Sequence, residues 1–214
     1  NLVPDRVKNN SDAPIRPMGR AARKITLKLH LGFETRTQAL VQDGVNINKA
    51  NAATKWNAAG ASPQSDIDAA KEKVKQQCGN YPNTILMSGP TAQAAQRAIK
   101  AKAGGSRPED EVKFELPPLL WNLKVVTAAA IQNTAAMGQA LAIADVWNDM
   151  AVVLYVDPEP GIDSFTFGVT FRVQNLVMKT YREERRKGDW VEGSWVIGEK
   201  RMLTECAYII DDTL

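Results

Sequence analysis

Around Val125 the chain changes character, and that change restricts its fold more than any other feature of the 214 residues. Before it, apolar residues recur mostly at helical spacing. After it, the segments Val125–Ile131, Ala151–Val156, Thr166–Val173, Val177–Glu184, Trp190–Ile197 and Met202–Ile210 are rich in Val, Thr, Phe, Tyr and Trp, the residues that suit strands. A doubly wound α/β protein alternates strands with helices along its whole length. Helices followed by a run of antiparallel-looking strands indicate α+β instead.

The first half carries three helix signals. Residues 20–43 are ambiguous, because Ile25, Leu27, Leu29, Leu31 and Phe33 alternate as in a strand while the Arg, Ala, Lys, Leu, Glu and Gln around them favour helix. A helix there has one apolar stripe through Ala22, Ile25, Leu29, Phe33 and Leu40, with Leu27 and Leu31 on its other side. Apolar on two sides, such a helix suits packing between two surfaces. Ser65 and Asp68 resemble a capping box ahead of Ile67, Ala70, Val74 and Cys78, and Gly79 supplies a stop. Ser88 caps a third helix through Ala95 and Ile99, which Gly104 and Gly105 end. Residues 1–19, with Pro4, Pro14, Pro17 and Gly19, read as an extended arm. Residues 44–62 read as a loop anchored by Trp56, and Glu109, Asp110 and Glu111 as an acidic loop.

Composition narrows the chemistry. One histidine, His30, and two cysteines, Cys78 and Cys206, leave little for a hydrolase or a four-ligand zinc site, and two cysteines make no disulfide framework. Both cysteines fall on apolar positions and read as small core residues. No apolar stretch approaches the ~20 residues of a membrane helix. The net charge of +3 is modest but uneven: residues 1–28 hold seven basic and two acidic side chains, which is +5, leaving −2 for the remainder. A basic end of this kind lies against phosphate or an acidic neighbour, or is simply solvated.

No set of residues assembles a catalytic centre. Met87-Ser88-Gly89-Pro90-Thr91 follows a strand and opens a helix, as a phosphate loop does. It has one glycine and no lysine, so Ser88 reads as a helix cap. Asp157, Glu159 and Asp163 alternate with Pro158, Pro160 and Gly161 but lack the ligand order of a calcium loop. Glu183 and Glu184 are adjacent in a strand and face opposite sides. No enzymatic activity, cofactor or metal is expected. The charged tip Arg185-Arg186-Lys187-Gly188-Asp189 joins two strands, and Trp147, Trp190 and Trp195 put aromatic material in the strand-rich half. Extended arm, charged hairpin and two-sided helix together point to self-association.

In segment order the chain resembles the major capsid proteins of tailed bacteriophages, from about Ala21 to its end. The resemblance rests on the long helix with Leu31, Glu34 and Ala39, and on the Trp loop followed by Ser62, Pro63, Asp66 and Ile67. It continues through CGNYPNTILMS (Cys78–Ser88), NTAAMGQALAIADVW (Asn133–Trp147), SFTFGVTF (Ser164–Phe171) and AYIIDDTL (Ala207–Leu214). It implies a peripheral domain, with a spine helix and a β-hairpin, over residues 20–79 and 176–201. An axial domain, a central sheet flanked by helices, would take residues 80–175 and 202–214, with residues 1–19 as an arm remnant.

The function so implied is that of a subunit of an icosahedral or prolate phage head, assembling into pentamers and hexamers around packaged double-stranded DNA. The virion is its expected location, after assembly in the host cytoplasm, with no membrane partner. Partners would be other copies, DNA by non-specific contact, and scaffolding, portal, protease or decoration proteins. Arg185, Arg186, Lys187, Asp189 and Glu34 are the expected subunit-contact residues. Some relatives cross-link a lysine to an asparagine near the hairpin; this tip has no Asn, so that chemistry is not carried over. The reaching arm and loop of the family are largely missing, which suggests a processed or partly ordered product. A cellular nanocompartment shell of the same fold, and more remotely a nucleotide-dependent enzyme, are the alternatives.

Overall fold

The computed structural model describes residues 1–11, 15–102, 117–161 and 163–214. The acidic loop at Glu109–Glu111 and the Gly104–Gly105 helix stop lie outside the described residues. The chain divides into two units. One comprises Asn1–Arg36 and Thr170–Glu199, the other Thr37–Val169 and Lys200–Leu214.

The first unit is built on a three-stranded sheet in the order β1-β10-β9, with β1 at Leu2–Pro4, β9 at Gly168–Glu183 and β10 at Gly188–Arg201. The two separate strands expected at Thr166–Val173 and Val177–Glu184 are one, because Gln174 and Asn175 stay extended within β9. Helix α2, Pro17–Val41, begins in this unit, with Pro at its first position where no intrahelical N–H is needed. The helical composition prevails over the alternating pattern of residues 25–33. Ala21, Val3 and Val191 form the buried centre, with Met18, Ala22 and Ile25 against it. Gly193 in β10 lets the helix come close: a Cβ there would lie 2.7 Å from Ile25 Cγ2 and 2.9 Å from Met178 Sδ. Only one side of the helix packs in this way, and Leu27 on the other is 70% exposed.

The arm expected at residues 1–19 is in fact ordered in part. β1 pairs antiparallel with β10, Leu2 opposite Trp190 and Pro4 opposite Gly188, and a short helix α1 follows at Asp5–Asn9. Pro4 stands at the start of α1 without a side-chain cap, and its fixed φ suits the entry to a helix.

The second unit holds a six-stranded mixed sheet in the order β2-β11-β8-β3-β5-β4. Its strands are β2 (Lys49–Asn51), β3 (Thr84–Ser88), β4 (Leu119–Leu120), β5 (Leu123–Ala128), β8 (Ala151–Leu154) and β11 (Ala207–Asp211). Central β8 is Ala-Val-Val-Leu, buried at every position, the continuous apolar run of a strand covered on both faces. β3 and β5 run parallel with Ile85 opposite Val125, and α4 (Gly89–Lys102) follows β3, so the unit contains one βαβ connection.

Helix α3, Pro63–Cys78, presents Ile67, Ala70, Val74 and Cys78 to the core, as its spacing requires. Residues 37–79, grouped with the spine helix by the resemblance, thus pack in the second unit. Ile67 and Ala70 share a buried cluster with Trp56, Ile85, Met87, Leu123, Val153 and Ile210. The helix ends at Gly79, whose φ of 79° is left-handed. Its start differs from the expected capping box. Ser62 holds the cap position, Ser65 lies in the first turn, and the Asp66 carboxylate accepts the Trp56 indole N–H at 2.8 Å.

The cysteines also differ from expectation. Cys78 and Cys206 are buried as foreseen, but their Cα atoms are 5.1 Å apart and they are joined as a disulfide. The bond ties the end of α3 to the 3₁₀ turn Thr204–Cys206 ahead of β11, a turn where a continuous strand from Met202 was expected.

Candidate assembly surfaces

The hairpin tip is formed by a 3₁₀ turn, Glu184–Arg186, closed by Lys187 with φ at 43°. Gly188 follows, buried against β1, where a Cβ would approach the Val3 carbonyl oxygen to 2.7 Å. The five expected contact residues do not form one cluster. Arg185 and Lys187 are exposed at the tip. Arg186 lies over the Trp190 ring at 5.7 Å from its centre and 3.9 Å from the Glu183 carboxylate, while the Trp190 indole N–H is itself donated to Glu183. Glu34 sits half-buried on α2, away from the tip in sequence and engaged in contacts of its own.

Asp189 is already engaged inside the chain. Lys8 donates to it at 2.5 Å, and Arg182 lies 3.5 Å away. Arg182 also grips Asp5 through two bonds of 2.6 and 2.7 Å and reaches Glu184 at 3.0 Å. Lys8 completes the set at 3.1 Å from Asp5. Hydrogen bonds from Arg182 and then Lys8 hold the Asp5 carboxyl down at about 2, and Lys8 depresses Asp189 in the same way. Asn1 and Val191 exchange two further backbone bonds, 2.8 Å from the Asn1 nitrogen to the Val191 carbonyl and 2.9 Å from the Val191 N–H back to the Asn1 carbonyl. The network clamps the N-terminal segment onto the hairpin. Sequence reasoning missed it, because Asp5 and Arg182 lie 177 residues apart and neither belongs to a motif.

In the second unit, β6 (Ile131–Asn133) and β7 (Ile143–Asp145) form a separate two-stranded hairpin. The Asn133 side chain accepts from the Ala135 and Ala142 N–H groups and so shapes its loop. Ile131, Met137, Leu141 and Ile143 are all more than half exposed on it. Four large apolar side chains exposed on one hairpin are unusual for a surface facing only water. The Asn-, Ala- and Gly-rich composition of residues 133–142 hid this hairpin, since it lacks the β-branched signal of a strand.

The remaining candidates are structural. Ser88 Oγ accepts the Thr91 N–H at 3.4 Å and donates to Thr91 Oγ1 at 2.9 Å, so it caps α4. Thr91 Oγ1 meets Thr213 Oγ1 at 3.0 Å and Thr213 donates to the Asp149 carbonyl, which occupies these buried hydroxyls in anchoring the chain end. Asp157 accepts the Glu159 N–H within its own turn at 3.0 Å. His30 is exposed, with its ring edge-on to Trp195 at 5.2 Å. Among the described residues no three acidic, His or Cys side chains gather in a metal-binding cluster, and no helix is long and apolar enough to cross a membrane.

No family model and no curated protein matches this sequence. Its fold, however, recurs in solved structures of phage proteins. A phage-related protein of Bordetella bronchiseptica RB50 superposes with a TM-score of 0.73 at 20% identity, covering 99% of this chain and 73% of its own. The capsid of Cyanophage P-SCSP1u matches at 0.61 and 13% identity, covering 98% and 69%. A structure from Mycobacterium phage Che8 matches at 0.56 and 12%, covering 100% and 69%. The chain therefore has the α+β fold of phage capsid subunits.

Proposed function

We propose that this chain is the structural subunit of a tailed-phage head, which assembles through pentamers and hexamers into a closed shell around double-stranded DNA. The observation that carries the reading is the capsid fold extending over essentially the whole chain, with a TM-score of 0.61 to a phage capsid subunit over 98% of its residues. The surfaces support it. A hairpin at Ile131–Asp145 exposes four large apolar side chains, and a charged tip at Arg185–Lys187 is exposed in the other unit. In this reading the unit of residues 1–36 and 170–199 is the peripheral domain and the other the axial domain. The β6–β7 hairpin then meets its copies around five-fold and six-fold positions, and the charged tip meets its copies near local three-fold positions.

The clamp revises how the tip works. With Asp189 held by Lys8 and Arg186 over the Trp190 ring, Lys187 and Arg185 are the tip cations left for an acid of a neighbouring subunit, Arg185 the better suited of the two. Its planar fork suits a carboxylate. Negative-stain electron microscopy of the purified full-length protein tests the proposal directly. Closed shells are expected, and small discrete oligomers or monomers at every concentration would reject it.

A further inference from the structure

The exposed face of α2 is cationic in a way that folding does not require. Arg16, whose carbonyl accepts the Arg20 N–H at 3.0 Å, stands just before the helix. Arg20, Lys24 and Lys28 follow at four-residue intervals, and Arg23 lies beside them. Residues four apart are neighbours on a helix, so three successive like-charged pairs, Arg16–Arg20, Arg20–Lys24 and Lys24–Lys28, run along one stripe. Such pairs oppose helix formation, and cations near a helix N-terminus also oppose its dipole. A solvated face ordinarily intersperses both signs. Here the only acid in the helix is Glu34, beyond the stripe, and none of these five cations has an ion pair among the described residues.

The stripe also has a shape. Arg20, Arg23, Lys24 and Lys28 surround a shallow groove floored by Leu27 and Leu31. A helix rises 1.5 Å per residue, so successive cations stand about 6 Å apart along the groove. A nucleic-acid strand offers a matching edge, with phosphates in a continuous row and apolar deoxyribose carbons between them. An acidic protein would need its own row of carboxylates at the same spacing.

We infer that this face of α2 binds the phosphate backbone of duplex DNA without sequence preference. The inference rests on the shell reading for its source of DNA, since a subunit enclosing a packed genome faces that polyanion at high concentration. No base edge need be read. Binding is electrostatic and falls with salt through release of condensed counterions.

The test is fluorescence anisotropy of the full-length protein with a labelled duplex of about 24 base pairs across a salt series. The variant Arg20→Gln, Lys24→Gln, Lys28→Gln is compared with wild type and with a charge-matched control, Lys73→Gln, Arg97→Gln, Lys200→Gln, at three exposed positions elsewhere. All six side chains are exposed, so circular dichroism is expected to show native folding throughout. The stripe variant should lose affinity and flatten the dependence of log K on log salt by roughly 2 to 3, at about 0.9 per phosphate contact. The control should hold the wild-type slope. Equal slopes in the two variants would overturn the inference. So would a stripe variant that binds DNA normally but no longer closes shells, which would assign the face to an acidic neighbouring chain. Wild-type protein that binds duplex through these cations yet never forms shells would retire the shell reading and leave the DNA contact standing.

Discussion

At the residue scale, Gly193 and Asp5 show two different ways in which a single position governs the first unit. Gly193 acts through its missing side chain, since Ile25 and Met178 occupy the space a Cβ would need. Gly193→Val is expected to force α2 off the sheet and cost about 1–3 kcal/mol, the usual penalty for overpacking. Thermal unfolding followed by circular dichroism should show the loss; an unchanged midpoint would mean the helix shifts freely. Asp5 acts through charge. Its carboxyl is held at about 2 against an ordinary 3.8, so its ionised form stabilises the native clamp. That contribution is fully present above the ordinary value and disappears as pH falls through about 2, and the depressed Asp189 acts in the same direction. Residues 1–9 should therefore become exchange-labile between about pH 4 and pH 2 while the hairpin persists, as amide hydrogen exchange would report. Protection unchanged at the lower pH would show that strand pairing alone holds the segment.

At the scale of elements, the disulfide joins α3 to the turn before β11 across 128 residues of sequence. Closing so long a loop restricts the unfolded chain, with an effect of about 2–4 kcal/mol. Reduction should leave the second unit folded, because Ile67, Val74 and Ala207 are buried in its core whether or not the bond is present, but with a lower midpoint. Cys78→Ala with Cys206→Ala should match the reduced wild type to within the cost of the lost sulfur packing. Equal midpoints for oxidised and reduced protein would show that the bond contributes nothing. The two hairpins contrast at this scale. The β9–β10 pair is covered on one edge by β1, whereas β6–β7 has only each other and an apolar exterior. An isolated two-stranded hairpin is marginal in water, so β6–β7 is expected to gain order where it meets its copies.

For the whole molecule, assembly multiplies small local terms. An exposed ion pair contributes about 0–1 kcal/mol, which hardly matters in one subunit but recurs at every equivalent contact of a shell. Arg185→Glu with Arg186→Glu should leave the fold intact by circular dichroism and reduce shell yield, and high salt should weaken wild-type assembly in the same direction. Met137→Glu with Leu141→Glu should do the same through the other unit, more severely, because it places charge on a surface proposed to be buried. Normal shell yield by electron microscopy from either variant would remove that hairpin from the contact.

What was legible from sequence follows from the range of the interactions involved. The α+β class, α3, the Gly79 stop, the Ser88 cap and β8 depend on neighbours a few residues away, and local periodicity or backbone preference reveals them. The helical nature of residues 17–41 is also local, and so is its row of cations. The features decided only in three dimensions join residues with no sequence relation. β1 found β10, Arg182 found Asp5, and Cys78 found Cys206, each across more than a hundred residues. Asp189 illustrates the consequence. Its place at the tip was visible, but its charge was already committed to Lys8 on a segment read as a free arm. Proximity in space, not composition, decides which charges remain for a partner once the chain has folded.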